Sequence, residues 1–290
     1  MRIYLDCIPC FARQAVEAAE IATENPDLRE KILREILRKS AEIPFDKSPP
    51  YMGMEIHRTI KCILGNIDPY HKLKVTYNKK ALEYYTFMKE LLSRSADCLE
   101  TAVKIAVAGN MIDFGINSKD TEIDIKSLIN ETLKQPFAIN KLPEFKKALD
   151  RSRQIFYLTD NAGEIVFDRL LIEEFPDYTD RVIVAVKSEP VINDATMEDA
   201  EQAGLTGIVR VIENGSDAPG TILEECSKEF LMTFNDSDLI IAKGQGNYES
   251  LSEKDHNIFF LLKAKCTVVA RDLGVGVGDI IVKSDETSPI

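Results

Sequence analysis

Five short runs in the second half of the chain constrain its fold more than any other feature: "QIFYLT" (154–159), "RVIVAV" (181–186), "GIVRVI" (207–212), "DLIIAK" (238–243) and "CTVVAR" (266–271). Each is rich in β-branched residues, too short for an ordinary helix, and apolar almost throughout. A strand with one wet face alternates apolar and polar residues. A run that does not alternate is buried on both faces, as in a parallel sheet. Between most of these runs lie helix-compatible stretches such as "EIVFDRLLIEEF" and "APGTILEECSKEF". Alternating strand and helix demands right-handed crossovers, so the sequence predicts an α/β fold with a doubly wound, mostly parallel sheet in three αβα layers.

The first 105 or so residues keep a different period. In "NPDLREKILREILRKS", Asn25 is a candidate N-cap with Pro26 at the first helical position, and Leu28, Ile32, Leu33, Ile36 and Leu37 recur at helical spacing. Further helices are expected over "KKALEYYTFMKELLSRS", opened by Asn78, and over "ADCLETAVKIAVA", ending at Gly109. Between them "FDKSPPYMG" and "GNIDPYHK" read as loops. The expected organisation is an all-helical N-terminal subdomain, 1–105, and an α/β core, 106–290.

Charge narrows the partners. With 48 acidic against 36 basic residues the net charge is −12, which opposes nucleic-acid binding. No segment approaches the ~20 consecutive apolar residues that span a bilayer, so no membrane partner is expected. "MRIYLDCIPCFARQ" lacks the basic start and apolar run of a secretory leader. The expectation is a cytoplasmic protein whose six cysteines stay reduced. Oligomeric state leaves no mark in the sequence.

Polar and turn residues collect just after the proposed strands. The first leads into Asp160-Asn161-Ala162-Gly163-Glu164, the second into "KSEPVINDAT" with Lys187, Asn193 and Asp194, and the fourth into "KGQGNYES" with Lys243 and Gly244 at its edge. In open α/β sheets ligands bind beyond the strand carboxyl ends, so these loops read as one site. Asp160, Asn161 and Asp194 can offer three oxygens, a donor set suited to hard divalent cations such as Mg²⁺ or Mn²⁺. Lys243 is placed to meet an anion, and metal, lysine and helix N-termini together suit phosphate. The plainer reading makes Asp160 and Asn161 N-caps and Lys187 a solvated side chain; repetition across several strand ends favours a site.

Other constellations point elsewhere. Cys7-Ile-Pro-Cys10 invites redox or zinc readings beside plain packing, although a thioredoxin-like pair follows a strand and only six residues precede Cys7. His57, His71 and His256 show no metal-binding spacing, and His57 is expected to orient Arg58 or Glu55. "GVGVGD" reads as a C-terminal turn after the last strand. Neither GxxxxGK[ST] nor GxSxG is present.

"TDNAGEIVFD", "VKSEPVINDAT", "DLIIAKGQGNYESL" and the earlier "AGNMIDFG" together resemble the damage-control phosphatases. "DCIPCFARQA" and "GNIDPYHKLK" are similar to their prokaryotic, CxxC-bearing subfamily. The resemblance covers nearly the whole chain. It implies a helical N-terminal region on a Rossmann-like core and a metal-dependent phosphatase acting on small phosphorylated metabolites, sugar phosphates and damaged phosphometabolites included. The implied ion is manganese, magnesium, cobalt or nickel. By the same resemblance Asp160, Asn161 and Asp194 hold the metal, Lys243 lies near the phosphate with Gly244 beside it, and Asn110 and Asp113 line the substrate side. One departure stands out: eukaryotic relatives follow the "DNAG" motif with phenylalanine, whereas this chain has Glu164. Substrate preference therefore does not carry over from those relatives. Asp160 is expected either to fix a metal while water attacks, or to attack directly and form an aspartyl-phosphate. Two rival readings remain: a Rossmann-like methyltransferase, which would want a glycine-rich turn where Asp160-Asn161 stands, and a non-catalytic metal- or metabolite-binding module.

Overall fold

In the computed structural model, which describes residues 1–65, 68–110 and 124–284, the N-terminal third is helical. Helices α1 (Cys7–Ala22), α2 (Pro26–Ser40), α3 (Pro49–Leu64), α4 (His71–Glu83), α5 (Tyr85–Ser93), α6 (Cys98–Gly109) and α7 (Ile125–Lys134) precede the first strand, β1 (Phe137–Asn140). The chain continues as α8 (Leu142–Arg151), β2 (Ile155–Leu158), α9 (Glu164–Ile172), α10 (Tyr178–Arg181), β3 (Val182–Val186), α11 (Met197–Gln202) and β4 (Arg210–Glu213). It ends with α12 (Lys228–Asp236), β5 (Leu239–Lys243), α13 (Gly244–Leu251), β6 (Ile258–Lys263), α14 (Thr267–Leu273) and β7 (Ile280–Ser284).

One seven-stranded sheet runs in the order β1-β7-β6-β5-β2-β3-β4. Pairing is parallel except between β6 and β7. Burial on both faces explains the unalternating runs. Ile155 and Tyr157 of β2 face a core shared with α6 and α9, whereas Phe156 and Leu158 face a second core with Phe230, Tyr248 and Val269 from α12, α13 and α14. The three-layer αβα arrangement read from the sequence is therefore observed. A third cluster, Ala15, Ala19, Ile32, Ile36, Ile56 and Ile60, joins α1, α2 and α3. The boundary expected at residue 105 falls within α6, whose Val103, Ala106 and Val107 pack in the same core as the sheet.

The topology makes a crevice. From β2 the chain adds β3 and β4 on one side, then returns to lay β5 on the other. The helices that leave these two central strands pack on opposite faces: α9 in the first core, α13 in the second. Loops diverging this way leave a gap beyond the carboxyl ends of β2 and β5, where such sheets bind ligands.

Local expectations fared unevenly. Asn25 caps α2 as expected, its Oδ1 accepting from Asp27 N and Leu28 N, with Pro26 first in the helix. Asn78 does not open a helix; it sits buried inside α4, which begins at His71, and α5 follows after a break at Tyr84. The "PPYMG" segment, expected in a loop, is the first turn of α3, entered through Pro49. "CTVVAR" is helix α14: Cys266 Sγ accepts from Val269 N at 3.4 Å, and Val268, Val269 and Ala270 bury one short face against the sheet. Packing here overrides the β preference of Thr-Val-Val. The neighbouring strand is β6, "IFFLLK", and β7 follows "GVGVGD", which therefore does not end the fold. Among the described residues no helix is long and apolar enough to cross a membrane.

Candidate active site

The turn after β2 is fastened from several directions. Asp160-Asn161-Ala162 lies antiparallel to Asn193-Asp194-Ala195, with Ala162 N donating to Asn193 O and Ala195 N to Asp160 O, both at 2.8 Å. Thr159 Oγ1 donates to Ala185 O at 2.8 Å. Gly163 N donates to Asn78 Oδ1 at 2.6 Å, so α4 reaches across to hold the start of α9. At Gly163 φ is 76°, and a Cβ would come within 3.0 Å of Tyr77 Cβ; only glycine turns here without strain. Asp160 and Asp194, far apart in sequence, thus stand side by side. The second segment leaves β3 through Ile192 at φ 46°, a conformation that costs a β-branched residue on the order of 1–3 kcal/mol.

Two amides converge on two carboxylates. Asp160 Oδ2 accepts from Asn110 Nδ2 at 2.7 Å and from Asn161 Nδ2 at 2.9 Å. The same amides each donate to Glu164 Oε2 at 2.9 Å. Asn110 reaches this point because α6 ends on it, beside α9. From β5, Gly244 packs so closely that a Cβ would lie 1.8 Å from Asp160 Oδ2. A side chain at 244 would displace the carboxylate.

Behind this layer lies a buried charge cluster. Lys243 Nζ donates to Glu164 Oε1 at 2.8 Å, to Ala106 O at 3.1 Å and to Asp168 Oδ1, which also accepts from Tyr157 OH at 2.8 Å. Glu164 and Asp168 stand four residues apart on one face of α9. The expectation set Lys243 against a phosphate; the structure places its ammonium wholly inside the protein, with all three protons directed at protein acceptors. Asn110 and Gly244, expected on the substrate side, both stand against Asp160. Asp113 lies outside the described residues.

These contacts set the protonation of the cluster. Burial, then the charges of Glu164 and Asp194, hold the Asp160 carboxyl well above its ordinary range. Burial raises Asp194 to about 6, against the pull of Lys187. Burial works the same way on Glu164, but Lys243 and the Asn110 amide more than reverse it, and Glu164 sits below its usual value. Asp168 is pushed up to about 7 by burial despite Lys243. Negative charge is in excess at the surface of the cluster and partly offset by Lys243 at its back.

That excess, with its oxygen donors, fits a divalent cation. Asp194 Oδ2 is buried, 3.5 Å from Lys187 Nζ, and has no hydrogen-bond partner among the described residues; Asn110 Oδ1 is orphaned in the same way. Among those residues no three His, Cys, Asp or Glu side chains form a metal cage, so the fitting donor set is two carboxylates, Asp160 and Asp194, completed by the Asn161 amide.

Asp160, Asn161 and Asp194 line a cleft of about 510 Å³. Its far wall is α1, which contributes Cys7, Cys10 and Arg13; Lys265 and Cys266 close it from the loop after β6. Sequence reasoning singled out neither Arg13, Lys265 nor Asp168. Helical spacing from Glu164 was the available signal for Asp168; the other two depend on tertiary placement.

His57 also borders the cleft, edge-on to Tyr70 at 5.9 Å. It does not orient Arg58, whose guanidinium pairs with Asp217 and Glu225. Burial, then the charge of Lys61, pull its imidazole down to about 4. Between pH 6.5 and 4 the unfolded chain therefore protonates His57 while the folded chain does not, and stability falls with pH across that window, by about 3 kcal/mol. In His57→Gln this component vanishes. Urea unfolding at pH 7 and pH 4.5 should show a smaller acid loss in the variant than in the wild type, and equal losses would refute the assignment.

Known proteins resemble the chain along its whole length. Residues 3–281 match the family described as the damage-control phosphatase ARMT1-like domain. An uncharacterized protein of Methanocaldococcus jannaschii is 42% identical over 97% of this chain and 95% of its own. A damage-control phosphatase of Pyrococcus horikoshii is 37% identical over 97% of each chain, and one of Archaeoglobus fulgidus 35% identical over 98% and 99%. The crystal structure of a DUF89 family protein from Pyrococcus horikoshii superposes with a TM-score of 0.90 at 35% identity, covering 99% of this chain and 100% of that one.

Proposed function

The chain belongs to the damage-control phosphatase ARMT1-like family, and from that premise we propose that it is a metal-dependent hydrolase of small phosphate monoesters, sugar phosphates or damaged phosphometabolites. The observation that carries this reading is the meeting of Asp160 and Asp194 beside Asn161 over one cleft, with acidic charge the protein's own cations leave uncancelled. Asp160, Asn161 and Asp194 would hold the ion, and manganese, magnesium, cobalt and nickel all accept such donors. When bound, a divalent ion supplies the charge neutralisation that lets a phosphate dianion be attacked.

The chain's own residues do the positioning. Asn110 and Asn161 tie Asp160 to Glu164, so the carboxylate presented to the cleft cannot swing away. Lys243 acts through Glu164 and Asp168 as a positioning residue, keeping Glu164 ionised as an acceptor for both amides. The cleft volume falls in the range of small-metabolite sites. Gln14 and Asn193 on its walls suit a hydroxyl-bearing leaving group.

A chelation experiment tests the reading. The chain stripped with EDTA should release no phosphate from a panel of sugar phosphates and aryl phosphates, and adding back each of the four ions should restore release. Undiminished turnover after stripping rejects metal dependence. No turnover with any ion or ester rejects the phosphatase reading in favour of a metabolite-binding module.

A further inference from the structure

A phosphatase site needs a cation that can reach the phosphoryl group, and the lysines buried around Asp160 are already engaged. Lys243 is bound to Glu164 and Asp168 inside the core. Lys187 donates to Gly220 O and faces Asp194. Lys74 donates to Thr196 Oγ1 and pairs with Asp199. Arg13 on α1 is exposed in the same cleft and touches Cys10 Sγ at 3.9 Å, but it is not among the leading charges that shift Asp160.

Lys265 differs. It stands two residues beyond the end of β6, the strand next to β5, so it occupies the same carboxyl edge as Asp160 and Gly244. Its side chain is exposed and lines the cleft with Asp160, Asn161 and Asp194. Among the described residues its ammonium has neither an ion-pair nor a hydrogen-bond partner. The backbone beneath it is well fixed: Lys265 N donates to Gln245 Oε1 at 3.1 Å, Ala264 N to Asp279 O at 3.0 Å, and Gly278 N to Ala264 O at 2.8 Å. Gln245 belongs to α13, directly after Gly244, so the start of one short helix touches both the Asp160 carboxylate and the backbone of Lys265. The charge of Lys265 is felt at both Asp160 and Glu164.

We infer that the Lys265 ammonium binds the phosphoryl group of the substrate across the cleft from Asp160 and Asp194. This rests on the phosphatase reading and deepens it, since it transfers the anion-binding role from the buried Lys243 to an open residue on the neighbouring strand end. An ammonium on the substrate side and carboxylates on the metal side would grip a phosphate dianion from both ends. An ordinary solvated lysine would affect none of this.

The test compares wild type, Lys265→Met and Lys265→Arg in the manganese-loaded protein, reading KM for an aryl phosphate, competition by inorganic phosphate, and manganese affinity. Loss of one charge-assisted contact should raise KM and the phosphate inhibition constant about tenfold or more in Lys265→Met, with manganese affinity within about twofold. Lys265→Arg should recover most of the phosphate affinity. Direct binding of inorganic phosphate by calorimetry gives the same comparison without turnover. Equal phosphate affinity in wild type and Lys265→Met overturns the inference while leaving a working phosphatase. A wild type that binds phosphate but hydrolyses no ester overturns the phosphatase reading and not the assignment of Lys265, and one that binds no phosphate overturns both.

Discussion

Asp160→Asn should lose metal-dependent hydrolysis and gain thermal stability. The substitution is isosteric, and the new side chain can still accept from Asn110 and Asn161 through its carbonyl oxygen. What disappears is a half-buried negative charge with Glu164 and Asp194 as neighbours. A carboxyl whose folded-state pKa is raised disfavours folding while it is ionised, so at pH 7 without metal the neutral amide is the more stable occupant. With metal the balance reverses, because the charge is the ligand. Even partners one step removed from a metal change affinity or activity by about 10–100-fold, so a direct donor should cost at least about a hundredfold in both. Melting curves with EDTA and with manganese, alongside kcat/KM, decide the matter. The expected pattern is a higher Tm in EDTA, a smaller upward shift on adding manganese, and activity near background. Wild-type activity in the variant would remove Asp160 from the chemistry.

The loop that holds Asp160 was legible in the sequence because its neighbours announce it. An apolar run stops, two short polar residues follow, and a glycine free to take positive φ opens an amphipathic stretch. Asn25 and Pro26 were readable for the same reason: capping is decided within a few residues. Distant packing hid the rest. Asn78 looked like a helix start, yet it is buried in mid-helix because its amide bridges Gly163 N, Asp199 and Gln202, contacts 85 to 124 residues away. "TVVAR" looked like a strand, yet it is helical because it covers the sheet face, while the strand is "IFFLLK", which runs between β5 and β7. Lys243 was rightly assigned to the strand's edge, but the direction of its side chain depends on Glu164 and Asp168 across the core, and no spacing rule encodes that. Glu164 follows the Asp160–Gly163 turn, and Lys243 is its counter-charge.

Lys243→Met should therefore act first on folding, and its cost should depend on pH. Removing the cation leaves Glu164 and Asp168, both fully buried, without compensation, a change worth about 3–5 kcal/mol when one member of a buried ion pair is deleted. That is a large fraction of the ~5–15 kcal/mol that holds a typical protein together. The deficit is electrostatic, so protonation should relieve it. In the variant both carboxyls titrate above their unfolded values, the folded state binds more protons than the unfolded one, and stability rises as pH falls through those folded-state values. Asp168 already sits near 7 with the lysine in place, so the relief should begin close to neutrality. Adding Glu164→Gln and Asp168→Asn to Lys243→Met removes the stranded charges and should recover most of the loss, a non-additivity that separates a charge effect from a packing effect. Urea denaturation of wild type, Lys243→Met and the triple variant at pH 7.5 and pH 5.5 measures all of this. A penalty for Lys243→Met that is the same at both pH values and unrelieved in the triple variant would mean that Lys243 stabilises the fold by its hydrocarbon stem, and the buried charge balance behind Asp160 would have to be abandoned.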